Sequence, residues 1–175
     1  NGRPQQNYKR EKTVFAACAG AAIYRRDVLK RIGYFDEVHF AYLEDMDLGY
    51  RARIHGYINV FAPEAVVYHV GSGTTGSRYN AFKVRYSARN NLYLVYKNMP
   101  PLQILLNLPF LAAGFLIKFL FFVKKGFGRE YVTGLRQGWK LCKKNRKVKF
   151  LFKNFHNYCR IQCELWINIL RILQK

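Results

Sequence analysis

Residues 40–51 read FAYLEDMDLGYR, and Glu44, Asp45 and Asp47 place three of the chain's ten acidic residues within four positions. In a chain of formal charge +20, such a cluster forms against its own repulsion. Leu43, Met46, Tyr50 and Ile54 recur at a three-to-four spacing, which predicts a helix over 43–55 with these residues inward. The acids occupy its first turn, and Arg51, Arg53 and His55 precede the terminating Gly56, so both ends complement the helix dipole. One acid suffices to cap a helix; three behind an aromatic loop point to chemistry. A carboxylate at a helix start that faces a cleft is suited to act as a general base. At 3.6 residues per turn, Asp45 and Asp47 point about 200° apart. Glu44 and Asp47 therefore share a side, and Asp45 faces elsewhere.

Working outward, residues 1–12 are polar and predict a loop, Thr13–Ala17 predicts a short buried strand, and the small residues of Ala16–Ala22 permit close backbone approach. A helix over Asp27–Ile32 closes at Gly33. Beyond the acidic helix, two extended runs flank a Pro63-Glu64 turn. The second, Ala65–Val70, carries His69 just before the loop GSGTTGS. Imidazole is a frequent partner of carboxylates around Mn²⁺-like ions, although a lone histidine is as a rule structural. Residues 80–98 predict another helix, and Pro100-Pro101 is the clearest domain boundary.

The chain has 175 residues, half of them apolar and 17% aromatic. This is enough for a buried core and argues against disorder. Residues 1–100 hold 15 Lys and Arg against eight acids, whereas residues 101–175 hold 15 against two. Acid–base chemistry therefore belongs to the first part. The basic balance points to a polyanionic partner, be it nucleic acid, an anionic membrane surface or a phosphorylated substrate. The four cysteines have neither zinc-site nor disulfide-framework spacing. Leu102–Val123 is 22 residues long with Lys118 as its one charge, long enough to cross a bilayer. Both flanks are basic, which favours a re-entrant or in-plane segment over a span. Residues 153–175 predict an amphipathic basic helix. Phe155, Tyr158, Leu165, Trp166, Ile169 and Leu173 line its apolar side, as at an anionic membrane interface or against the protein's own core. No RNP, zinc or helix-turn-helix signature supports a nucleic-acid partner.

Residues 20–73, GAAIYRRDVLKRIGYFDEVHFAYLEDMDLGYRARIHGYINVFAPEAVVYHVGSG, resemble the C-terminal half of the catalytic domain of family 2 glycosyltransferases. The subgroup is the rhamnosyltransferase-like enzymes of bacterial surface polysaccharide synthesis. The pattern is G-x-FDE, Y-x-EDxDL-x-xR, G-Y and PEA-x-V-x-H in order; Arg89-Asn90 and Lys97–Pro100 extend it more weakly. The resemblance implies an α/β class: the C-terminal half of a GT-A (nucleotide-diphospho-sugar transferase) domain over 1–100, followed by membrane-associated α-helices over 101–175. It implies Asp45 as the catalytic base of an inverting transfer and Glu44 as its neighbour at the acceptor. It also places Asp36 and Glu37 in an acceptor-side loop, and gives Arg51 either a phosphate or the acidic helix to hold. Asp47 would be structural, pairing with an arginine or capping, and His69 would complete a metal site.

The implied cofactor is a divalent cation, Mg²⁺ or Mn²⁺, and the implied partners are a nucleotide-sugar donor and a saccharide or polyprenyl-linked acceptor. The place of action would be the cytoplasmic face of the bacterial membrane. The family's nucleotide-binding half and its metal-holding DxD are expected outside these residues, since Asp45-Met46-Asp47 belongs to the ED motif. The chain alone is thus expected to bind donor poorly and not to turn over. The rival expectation is a non-catalytic basic membrane-binding protein or accessory subunit.

Overall fold

The computed structural model describes residues 9–68, 77 and 79–173. These form strand β1 (Lys12–Val14), helices α1 (Arg26–Ile32) and α2 (Glu44–Ile54), strand β2 (Asn59–Phe61), and helices α3 (Ala81–Asn98), α4 (Pro101–Lys124), α5 (Gly128–Lys144) and α6 (Phe155–Leu173). One antiparallel pair is the whole of the β-structure among the described residues. The α/β class expected from the resemblance is therefore represented by a mostly helical chain. Two compact units are present. Unit 1 comprises Asn1–Asp36, Asp45–Gly71 and Lys153–Lys175, and unit 2 comprises Glu37–Glu44 and Ser72–Phe152. The Pro100-Pro101 break lies inside unit 2.

In unit 1, α2 is the central element. Every residue from Asp47 to Ala52 is buried, and Ile54 with them. The expected inward stripe of Leu43, Met46, Tyr50 and Ile54 is too narrow, because the helix is enclosed on several sides and takes a charged pair into the interior. Leu48 and Ala52 pack with Ile32, ringed by Tyr24, Val28, Leu29 and Tyr57. Gly33, at φ 87°, ends α1, its N–H donating to the Leu29 carbonyl. Gly49 marks a close approach: a Cβ there would lie 2.4 Å from Ala16 Cβ and 2.8 Å from Ala16 Cα. The small-residue run thus admits α2 at backbone distance.

β1 and β2 pair with Lys12 opposite Phe61 and Val14 opposite Asn59. The strand expected over Thr13–Ala17 ends at Val14; beyond it, the Asn59 amide donates to the Phe15 carbonyl at 2.9 Å. Residues 65–68 join no ladder, having no partner strand among the described residues; the remainder of that expected strand, with His69, lies outside them. α6 is partly committed to unit 1. Tyr158 and Ile161 are buried, Asn157 Nδ2 donates to the Ile54 carbonyl at 3.0 Å, and Glu164 pairs with Arg53. Of the expected apolar stripe, Phe155 and Trp166 stay exposed.

Unit 2 is built on α3, capped by the Asn80 side chain accepting from the Lys83 N–H. Val84, Ala88 and Tyr131 form its core, with Phe115, Phe119, Phe122, Phe127 and Leu135 against them. α5, not anticipated from the apolar pattern, meets α3 through Gly134 and Gly138. A Cβ at these positions would lie 2.3 Å from the Arg85 carbonyl oxygen and 2.6 Å from that of Arg89. α4 inverts the usual arrangement. Gln103 and Asn107 are buried, whereas Leu102, Leu105, Leu116, Ile117 and Leu120 are more than half exposed. Asn107 Nδ2 donates to the Gln103 carbonyl at 2.7 Å. Among the described residues α4 is the helix long and apolar enough to cross a membrane. All four cysteines are free thiols.

A Cβ at Gly20 meets nothing within 4 Å, whereas one at Gly49 overlaps backbone. Gly49→Ala is expected to lower unfolding free energy by about 1–3 kcal/mol and Gly20→Ala to leave it nearly unchanged. Urea unfolding followed by circular dichroism compares the two.

Candidate functional site

The acidic motif divides into carboxylates of different environment. Asp45, in unit 1, is half-buried. Its Oδ1 accepts from the Met46 N–H at 2.7 Å and its Oδ2 from the Ala19 N–H at 3.3 Å. Ala19 opens a 3-10 turn, Ala19–Ala21, so the small-residue run delivers a peptide donor to this carboxylate. The two donors fix its direction while leaving it partly open to solvent.

Asp47 is fully buried. Arg51, one turn later, meets it with Nη2 at 2.8 Å and Nε at 2.9 Å. The rest of the guanidinium is also engaged. Nη1 donates to the carbonyls of Ile32 at 2.7 Å and Gly33 at 2.9 Å, and Nη2 to that of Tyr34 at 2.7 Å. A planar fork of donors suits this gathering of acceptors, which an ammonium could not match. Of the two roles that the resemblance implies for Arg51, this geometry is that of holding the acidic helix. Burial also pushes the Tyr50 hydroxyl, on the same helix, well above the usual tyrosine range.

An Asp36 carboxylate oxygen lies within 4.8 Å of one from Asp47. Asp47 is already neutralised by Arg51, whose charge opposes a cation there, so this pair does not fit a divalent ion. Glu37, exposed, opens the 3-10 turn Glu37–His39 of unit 2. Glu44, half-buried, ends the same segment of unit 2, and its Oε2 is buried without a hydrogen-bond partner among the described residues. His69 lies outside the described residues.

Two polar residues act on this segment that sequence reasoning left without a role. The fully buried Asn90 directs Nδ2 at the carbonyl oxygens of His39 at 2.8 Å, Ala41 at 2.7 Å and Tyr42 at 2.7 Å. Arg89 Nη2 donates to the carbonyls of Val38 and His39, both at 2.7 Å. The available signal was the Arg89-Asn90 match in the resemblance.

The family model described as glycosyl transferase family group 2 matches residues 5–142, and the chain belongs to that family. Two curated proteins are similar to it, the N-acetylglucosaminyl-diphospho-decaprenol L-rhamnosyltransferases of Mycobacterium tuberculosis strains CDC 1551 / Oshkosh and ATCC 25618 / H37Rv. Each is 36% identical over 66 residues, a stretch that covers 38% of this chain and 22% of the relative. The chain therefore matches less than a quarter of the length of these relatives. No solved structure matches.

Removing one partner of a buried ion pair strands the other's charge. Arg51→Met is expected to lower unfolding free energy by about 3–5 kcal/mol, and adding Asp47→Leu to recover part of the loss. Urea unfolding of the single and double variants measures both.

Proposed function

We propose that this chain is the acceptor-side part of an inverting GT-A glycosyltransferase. The whole enzyme moves a sugar from a nucleotide-sugar donor to a saccharide or polyprenyl-linked acceptor in surface polysaccharide synthesis. The observation that carries the reading is family membership combined with Asp45, a carboxylate oriented by two backbone donors and still partly open. The relatives' name supports rhamnose as the sugar and a lipid-diphosphate-linked N-acetylglucosamine as the acceptor.

In this reading Asp45 takes the proton of the acceptor hydroxyl as its oxygen attacks the anomeric carbon. A carboxylate pre-aimed by N–H groups needs no reorientation at that moment. Glu44 shapes the acceptor side, and Asp36 and Glu37 line the loop before it. Asp47 and Arg51 hold the helix that presents Asp45. When bound, a divalent cation neutralises charge developing on the departing nucleoside diphosphate. Its ligands belong to a DxD outside the chain, with His69 as the contribution from these residues.

The outward apolar face of α4 supports attachment to the membrane, because hydrocarbon solvates that face and the buried Gln103 and Asn107 avoid it. Residues 124–149 add ten Lys and Arg against Glu130 alone, a balance suited to the anionic cytoplasmic leaflet. The same face favours the second reading, a non-catalytic membrane-binding subunit, and activity separates the two.

In the full-length protein, Asp45→Asn is expected to lower kcat by about 10²–10⁴-fold, read as transfer from nucleoside-diphosphate-rhamnose to a polyprenyl-diphosphate-linked N-acetylglucosamine. An undiminished rate removes the base assignment. Flotation with vesicles containing phosphatidylglycerol is expected to carry the protein at low and high salt, since insertion of α4 is apolar. Loss of flotation in high salt would instead mean that the contact is electrostatic and peripheral.

A further inference from the structure

The segment before the acidic helix adopts a backbone that its residues resist. Phe40, Tyr42 and Leu43 have φ of 58°, 69° and 68°. None is glycine, and bulky side chains in the left-handed region are outliers that persist only where their surroundings impose them. The surroundings are two adjacent residues of α3. Asn90 and Arg89 together collect the carbonyls of Val38, His39, Ala41 and Tyr42, the peptides that such a turn leaves outside any ladder.

The pair is itself ordered. Arg89 Nε donates to Asn90 Oδ1 at 2.8 Å, which settles which end of the amide faces the carbonyls. The Arg89 guanidinium lies 4.4 Å from the Tyr86 ring centroid. Tyr86 in turn meets Phe40 at 5.6 Å and Phe82 at 4.5 Å, and Phe82 meets Tyr42 at 6.2 Å. Aromatic packing thus secures two of the strained residues from outside while the amide and guanidinium hold their backbone. The segment ends at Glu44, whose Oε2 has no hydrogen-bond partner among the described residues. If connection were the only task, glycines would make this turn without strain.

We propose that Arg89 and Asn90 are positioning residues for sugar transfer, holding the 38–43 turn in the form that presents Glu44 to the acceptor. The inference rests on the transferase reading above. The effect is indirect, since neither residue touches the reacting atoms. It should therefore appear in kcat and not in donor KM.

The test uses Asn90→Asp, which keeps the shape but turns an acceptor toward the carbonyls, and Arg89→Gln as a second variant, both in the full-length protein. Hydrogen exchange read by mass spectrometry is expected to show amides of 39–44 losing protection at least tenfold while α3 and α5 keep theirs. Transfer from nucleoside-diphosphate-rhamnose to the polyprenyl-diphosphate-linked N-acetylglucosamine is expected to show kcat lowered by a hundredfold or more at unchanged donor KM. Full kcat in both variants overturns the inference alone. Equal loss of protection across 39–44, α3 and α5 in both variants also overturns it, since the pair then serves only general folding. A wild-type protein that transfers no sugar overturns the transferase reading and this inference with it.

Discussion

The interior of unit 1 depends on one guanidinium. Arg51 is spent on Asp47 and on three consecutive carbonyls at the end of α1 and just beyond. Its charge is neutralised and its donors are used, so the buried cation is tolerable. In return, the C-terminal end of α1, which lacks intrahelical donors for its last carbonyls, is closed by a side chain from α2. The apolar contacts of Leu48 and Ala52 with Ile32 form around that junction. Asp45, two residues from Asp47, thus stands on a helix that cannot rotate without breaking Arg51's bonds to the carbonyls of Ile32, Gly33 and Tyr34.

Unit 2 solves a different problem. Its α4 directs leucine and isoleucine outward and keeps Gln103 and Asn107 inside, an arrangement that water penalises and hydrocarbon does not. Family membership is what the comparisons establish, and the outward apolar face of α4 is a separate property of unit 2.

Much of the helical frame was legible because strong punctuation marks it. Gly33, Gly56 and the Pro100-Pro101 pair end or begin elements close to where the structure has them, since few residues adopt positive φ or open a helix without a donor. The stripe on α2 was misjudged because its buried side includes Asp47 and Arg51, which periodicity counts as solvent-facing. α5 escaped notice although Tyr131, Leu135, Trp139 and Cys142 recur in it at helical spacing; the glycines through which it meets α3 read as breaks in that pattern. In the candidate site, the ED cluster was visible as local composition. The Asn90 bonds were not, because they join positions about fifty residues apart. Only burial gives that amide its meaning.

The glycine contact between α3 and α5 carries a mechanical consequence. Gly134 and Gly138 stand one helical turn apart and touch the carbonyl oxygens of Arg85 and Arg89, themselves one turn apart. Such a seam works as a ratchet with one tooth engaged. Sliding α5 by a residue brings Leu135 and Trp139 against those oxygens, and rolling α3 by a residue removes the oxygens from the notch. The helix face that bears Arg89 and Asn90 is thereby indexed by steric exclusion, without any bond that must be made or broken to keep its setting.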